Sequence, residues 1–421
     1  MKKLIFSAVL VGIVVLGGVL GYSLWKTSTQ TPQAFFDSGK KYYDAKKYAE
    51  AGIQFMNALR KDPRDRGSRY FLALTYLTQQ NPAAAMKQFQ TLLEYYPDDV
   101  DANLQLGGIY LIAGRSNSNY FRQAQELAEK VLKSAPQNVP ALVLSGNAAA
   151  GLQDYSSSVD MLEKAITLDP QNTGAIVSLG ASRALQKDYP EAEKAFLKAR
   201  QVNPKDKGAL VSLANYYRAV REPGKAEAVF KDALSQYPAD RAIYLQVASF
   251  YLQSGRATDS EKVLSDAQAA NAADPFPSLT LVSFYDATRR PEEARKLLLE
   301  LKPKFPKNLD IAARTAASLM QDQPDQAKKE IDQILKEDPK GPVGYVLLGE
   351  FQFRSGQFDA AQATLGNNPA LDSPFPMVHF LLGNIASRKG QIDQAQDHFQ
   401  KSLTVNGNYL PARLAIFPSR K

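Results

Sequence analysis

The chain has 421 residues, of which 44% are hydrophobic and 22% charged, so it can bury a core and is not a disordered protein. Its formal charge of +8 comes from 51 basic and 43 acidic residues that are interleaved rather than gathered in a basic stripe, which argues against nucleic-acid binding. The absence of cysteine excludes disulfides, thiolate zinc sites, cysteine nucleophiles and a lipoprotein anchor.

The first predicted element is an apolar segment, residues 4–25, which carries no charge and comes after a short basic start. As a helix it would be about 33 Å long, against roughly 30 Å of bilayer hydrocarbon. Tyr22 and Trp25 stand at its end, where aromatic side chains favour the membrane interface. The sequence therefore predicts a transmembrane signal anchor over residues 1–25, and a cleaved signal peptide is the alternative.

The side of the membrane is predicted from the flanking charges. The basic N-terminus favours export of the rest of the chain, although Lys26 on the other flank weakens this difference in charge between the two ends of the segment. We expect a single-pass protein of the cytoplasmic membrane whose bulk lies on the periplasmic side, or a secreted or periplasmic protein if the signal is cleaved. Residues 26–33 are predicted to form a polar linker of at most about 28 Å, which would keep the repeat region near the bilayer.

From residue 34 onward the sequence repeats itself. A small residue recurs at intervals of 34 residues, except for one interval of 39 and one of 33. The positions are Ala51, Ala85, Ala124, Ser158, Ala192, Ala226, Ser260, Ala294, Ala327, Ala361 and Ala395. A period of this length is typical of a solenoid of helix pairs, each of which needs its neighbours to bury its apolar face.

Each repeat combines a small residue, large apolar residues and a closing proline. In the first repeat these are Gly39, Tyr42, Ala51, Phe55 and Pro63. Small residues let two antiparallel helices approach, aromatic rings fill the space beside the contact, and proline ends the second helix.

The pattern resembles the tetratricopeptide repeat family over residues 34–407. The resemblance implies an all-α solenoid, a right-handed superhelix of about eleven helix hairpins, with a concave groove that accepts a ligand. Residues 408–421 are predicted to be a capping helix and tail that cover the last apolar face.

The ninth position of each first helix is predicted to line that groove. Among its members, Asn147, Asn215 and Asn384 are the strongest candidates, because an amide both donates to and accepts from a peptide main chain in extended form. Lys40 and Glu350 are the charged members of the same set. Simple solvation at exposed helix positions is the alternative interpretation.

No pattern of residues predicts catalysis. The two histidines, His379 and His398, have no ligand-spaced His, Asp or Glu partner in the sequence, which argues against a metal or a general base. There is no G-x-S-x-G elbow, P-loop or H-E-x-x-H motif. We therefore expect no enzyme activity, no catalytic residue, no metal and no cofactor.

The expected function is a protein–protein interaction scaffold in cell-envelope assembly or export. Its partners are expected to be proteins, and the membrane through residues 4–25, with no nucleic acid and no small-molecule substrate. Two alternatives remain open: a cytoplasm-facing membrane receptor or adaptor, and a non-catalytic subunit of an exopolysaccharide export complex.

Overall fold

The computed structural model describes residues 31–366 and 370–416. The predicted transmembrane segment, residues 4–25, lies outside the described residues, as do residues 367–369 and the tail from 417 to 421. Within the described ranges, no helix combines the length and the apolar character needed to cross a bilayer.

The described residues form 23 α-helices and no strand. Helices α1 to α22 pair in chain order into eleven hairpins, and α23 comes after the last of them. The helices are α1 Pro32–Asp44, α2 Tyr48–Lys61, α3 Arg66–Thr78, α4 Pro82–Tyr95, α5 Val100–Ala113, α6 Asn119–Ser134, α7 Val139–Gly151, α8 Tyr155–Leu168, α9 Thr173–Leu185, α10 Tyr189–Val202, α11 Lys207–Ala219, α12 Pro223–Gln236, α13 Arg241–Gln253, α14 Ala257–Ala270, α15 Pro275–Ala287, α16 Pro291–Leu301, α17 Leu309–Leu319, α18 Pro324–Glu337, α19 Pro342–Arg354, α20 Phe358–Gly366, α21 Pro376–Arg388, α22 Ile392–Val405 and α23 Leu410–Ile416. The predicted all-α helix-hairpin repeat is confirmed.

The first helix begins two residues earlier than predicted, inside the segment assigned to the linker. Thr31 caps it, since its side chain accepts a hydrogen bond from the backbone N–H of Ala34 at 3.1 Å. Pro32 then occupies the first turn, where its missing N–H costs nothing. The helix therefore begins earlier than predicted because its capping residue, Thr31, and its first-turn proline, Pro32, precede the first residue of the repeat pattern.

The three-residue turns inside the hairpins share one unusual conformation. Their middle residue has a positive φ, at Lys46, Gln80, Gln153, Lys187, Arg221, Gly255, Arg289, Gly356 and Gly390. A left-handed residue closes a short turn between antiparallel helices, and six of these nine positions hold a residue other than glycine.

The core of each hairpin is a small residue packed on a large one. Ala51 and Phe55 are fully buried in the first hairpin. A Cβ atom added to Gly39 would lie 2.5 Å from Cε1 of Phe55, so a larger residue there would require the ring to shift. Small residues at this register therefore set the separation of the two helices, as the repeat pattern predicts.

The chain divides at Ala233 and Leu234 into two compact units. In the first unit, α5, α7, α9 and α11 contact one another in that order and form a row of first helices. In the second unit, α17, α19 and α21 do the same. At the C-terminal end of the described residues, Ala415 and Ile416 of α23 pack on the core of the last hairpin.

Candidate protein-binding face

The first helices of the first unit carry a recess of about 480 Å³ between α9 and α11. The start of α10 closes its remaining side. Its lining is small, apolar and aromatic, with two polar side chains. The lining residues are Ala181, Ala184, Leu185, Tyr189, Phe196, Ser212, Asn215, Tyr216, Ala219 and Val220.

Alanines open this recess. Ala181 and Ala184 lie on α9, and Ala219 lies on α11. Other repeats place Leu77 or Phe353 at the register of Ala184, where a large side chain would fill the space. The recess thus results from three small residues that meet across two neighbouring hairpins.

The floor of the recess is aromatic and its rim is apolar and exposed. The rings of Phe196 and Tyr216, both buried, lie 5.2 Å apart between centroids. The Tyr216 hydroxyl donates to the backbone oxygen of Tyr189 at 2.8 Å. At the rim, Leu185 is 53% exposed and Tyr189 is 46% exposed. Exposed leucine and tyrosine beside an apolar floor are typical of a surface that receives a partner's side chain.

The recess carries no formal charge. Among its lining residues only the tyrosines titrate, and burial, with a smaller effect from the nearby charge of Glu193, raises the pKa of Tyr216 above its usual 10. The floor therefore stays neutral at physiological pH. A ligand for this site is expected to present an uncharged, apolar group.

A charged cluster beside the floor joins two hairpins and is internally balanced. Tyr217 donates to Glu193 Oε1 at 2.8 Å, and Lys225 Nζ donates to the same oxygen at 3.0 Å. The hydrogen bonds from Lys225 and Tyr217 lower the pKa of Glu193. Burial and the bond to Glu193 raise the pKa of Tyr217 to about 12. The cluster stabilises the contact between hairpins five and six and adds no net charge to the recess.

Of the five residues predicted to line the groove, Asn215 is the one that lines this recess. Asn147 lies half-buried on α7, two hairpins before it, and Asn384 lies half-buried on α21 of the second unit. Asn147 and Asn215 thus belong to different hairpins of the first unit, and Asn384 belongs to the second unit.

The two charged members of the predicted set contact their own helices. Lys40 Nζ lies 3.1 Å from Asp44 Oδ1 and 4.4 Å from the centre of the Phe71 ring. Glu350 is only 8% exposed, and its Oε1 accepts hydrogen bonds from Nε and a terminal nitrogen of Arg354 at 2.9 and 2.7 Å. Both side chains are thus engaged within their own repeats or the next one.

Sequence reasoning missed the rim of the recess. Leu185 stands at the thirteenth position of its repeat, outside the periodic apolar positions of the core, and Tyr189 begins the second helix. A leucine off the core register was the available signal. Its meaning depended on Ala219 of the next hairpin, which lies more than 30 residues away.

The two histidines have no relation in the sequence pattern, and the structure brings them together. His379 Nδ1 on α21 lies 3.3 Å from His398 Nδ1 on α22. In the part of the chain that the structure describes, no group of three or more His, Asp or Glu side chains is arranged to hold a metal ion.

Family models for the tetratricopeptide repeat match along most of the chain. The matched residues are 70–118, 116–173, 143–209, 217–276, 318–385 and 378–409. The chain belongs to the tetratricopeptide repeat family. This is a family of protein–protein interaction scaffolds, and its members are generally non-catalytic.

Solved structures resemble the chain at low identity, and no curated protein matches its sequence. PilW, described as a widely conserved type IV pilus biogenesis factor, is 18% identical with a TM-score of 0.44, covering 52% of this chain and 99% of its own. PilF of Pseudomonas aeruginosa is 14% identical with a TM-score of 0.40, covering 52% and 96%. MamA of Desulfovibrio magneticus RS-1 is 19% identical with a TM-score of 0.38, covering 42% and 96%. Family membership rests on the repeat models rather than on these likenesses.

Proposed function

We propose that this chain is a non-catalytic scaffold that binds a segment of a partner protein on the first-helix face of its N-terminal unit. The recess between α9 and α11 carries the proposal. Its volume of about 480 Å³ falls within the roughly 300–1,000 Å³ of pockets that enclose a ligand. Its uncharged lining fits an apolar side chain better than a charged one.

The bound segment would use the recess as an anchor. An apolar side chain enters between Leu185 and Tyr189 and packs on the ring of Phe196. Asn215, on the same wall, then donates to or accepts from the main chain of the segment. Asn147 lies on α7, the first helix next to α9 in the row, and would contact a segment that continues past hairpin five.

We place this scaffold on the periplasmic side of the cytoplasmic membrane, held by residues 4–25, in cell-envelope assembly or export. The length and apolar character of that segment support the anchor. A cytoplasm-facing receptor or adaptor is the second candidate, and the charge of Lys26 beyond the segment is the observation that favours it. A subunit of an exopolysaccharide export complex is a narrower form of the first.

Photocrosslinking in cells tests the binding face with a matched pair of positions. A photoreactive residue replaces Leu185 at the rim or Leu197 on α10, which is 44% exposed and does not line the recess. We expect one discrete adduct from position 185 and none, or a different one, from position 197. Identical adducts from both positions would mean that the recess does not select the partner.

Filling the recess gives a second test that leaves the core unchanged. Ala181 is exposed within the first-helix row, so Ala181→Trp should occupy the recess and abolish the adduct formed on the rim, while Lys198→Trp on α10 should not. Changing Asn147 and Asn215 together to Ala should weaken the same complex. Unchanged binding by the folded Ala181→Trp and double-Ala chains would refute the groove proposal.

Protease treatment of spheroplasts, with the mass of the mature chain read on the same sample, tests the location. Digestion of a full-length, membrane-retained chain supports the periplasmic anchor. Protection supports the cytoplasm-facing receptor. A chain shortened by about 21 residues means that the apolar segment is a cleaved signal peptide.

A further inference from the structure

The two histidines of the chain meet across the last hairpin. His379 on α21 and His398 on α22 are 19 positions apart, and their Nδ1 atoms form a hydrogen bond of 3.3 Å in which one ring donates and the other accepts. Their ring centroids lie 5.5 Å apart with planes inclined by 28°. Because the whole sequence contains two histidines, this pair is a specific feature of the eleventh hairpin.

Packing does not require imidazoles at these two positions. The same register in hairpin six holds Leu210 and Val229, which are both buried. In hairpin two it holds Arg69 and Gln88, whose side chains are joined by a hydrogen bond of 3.0 Å from the guanidinium to the amide oxygen. The positions therefore face each other across a hairpin, and apolar residues are accepted there.

We propose that His379 Nδ1 and His398 Nδ1 form a binding site for Zn²⁺. Two nitrogens each about 2.0–2.1 Å from a tetrahedral zinc ion lie about 3.3–3.4 Å from one another, so zinc can replace the 3.3 Å hydrogen bond between the two rings without moving the nitrogens apart. Adjacent corners of a square-planar Cu²⁺ site would place them about 2.9 Å apart. Imidazole donors disfavour Mg²⁺ and Ca²⁺, which take oxygen ligands.

The site is open to solvent, and one ion pair lies beside it. Both rings are half-buried, so solvent reaches them. The nearby Lys401 ammonium is paired with Asp397 Oδ2 at 2.7 Å, and this carboxylate reduces the repulsion that the ammonium exerts on a cation.

Two protein nitrogens leave two tetrahedral positions for water. Within residues 31–366 and 370–416 no third His, Asp or Glu completes the set. The site is therefore an exchangeable one that joins α21 to α22 when zinc is bound, and it differs from the closed four-ligand sites that structural zinc occupies. Bound zinc stabilises the hairpin by mass action.

The test is a titration of the full-length chain, without a histidine tag, with ZnCl₂ in competition with a chromogenic chelator. We expect the chain to bind one equivalent, and His379→Gln or His398→Gln to weaken binding at least tenfold. Zinc should raise the unfolding midpoint of the parent chain and leave that of both variants unchanged.

A double variant, His379→Leu with His398→Val, installs the apolar pair of hairpin six and controls for folding. It should unfold at the same or a higher midpoint than the metal-free parent and should show no zinc-dependent shift. The proposal is overturned if the parent binds less than one equivalent of zinc in excess metal. It is equally overturned if both single variants bind zinc as tightly as the parent, since surface carboxylates would then hold the ion.

Discussion

The same Ser→Ala substitution at one register of two repeats should change stability in opposite directions. Ser158 and Ser260 both stand where nine other repeats have alanine, and they are 0% and 1% exposed. Ser158 Oγ lies 2.7 Å from Ser182 Oγ, so these two hydroxyls share a buried hydrogen bond. Ser260 Oγ is buried with no hydrogen-bond partner.

The magnitudes depend on the groups that each change leaves behind. Ser260→Ala removes an unsatisfied buried hydroxyl and gains helix propensity, so it should raise the free energy of unfolding by about 1–2 kcal/mol. Ser158→Ala removes one hydrogen bond and leaves the Ser182 hydroxyl buried without its partner, for a net loss of about 1–2 kcal/mol. Changing Ser158 and Ser182 together removes both partners and should be nearly neutral.

Native-state hydrogen exchange is the suitable assay, because a repeat array need not unfold in one step. Each 1 kcal/mol changes the opening constant of the affected helices roughly fivefold. Amides of α14 should exchange more slowly in Ser260→Ala, and those of α8 and α9 faster in Ser158→Ala. The reasoning is refuted if both single variants shift in the same direction, or if the double variant at 158 and 182 costs the sum of its two single changes.

Three further predictions concern stability and pH, each read from the unfolding free energy of the full-length chain. Lys187 has a φ of 66° in a turn, a conformation that glycine adopts with less strain, so Lys187→Gly should raise the free energy of unfolding by about 0.5–1 kcal/mol. An unchanged or lower free energy of unfolding would contradict the strain argument. Gly39→Ala forces its Cβ into the ring of Phe55 and should cost about 1–3 kcal/mol, so a neutral result would show that the hairpin can widen freely. Hydrogen bonds from Arg290 and then Tyr285 hold the pKa of Glu261 below 4.5, so the stability that Glu261 contributes is complete above pH 4.5 and is lost on acidification. Glu261→Gln should therefore lower the free energy of unfolding at pH 7 and make it fall less steeply below pH 4.5. An unchanged dependence on pH below 4.5 would refute this role of Glu261.

Most of the fold was determined by local sequence signals. The recurrence of a small residue every 34 positions predicted hairpins, and the structure places their helices as expected. The prediction succeeds because helix periodicity, caps and turns each depend on a few neighbouring residues, and eleven copies repeat the same pattern. The start of the first helix was missed because its capping residue, Thr31, precedes the repeat.

The candidate sites depended on packing between residues far apart in the chain. The sequence pattern put Asn215 and Glu350 in one set at the ninth position, yet the first lines a recess and the second is buried against Arg354. The recess itself requires the alanines of α9 and α11 to coincide across two hairpins.

The histidine pair likewise depended on packing between residues that are separated in the sequence. Each histidine lacks a partner nearby in sequence, and they face each other because the fourth position of a first helix lies opposite the twenty-third position of its repeat. The sequence by itself determined which helices form and where they turn. Tertiary structure alone decided which side chains share a space, since the separation and rotation of packed helices, rather than their order along the chain, set those distances.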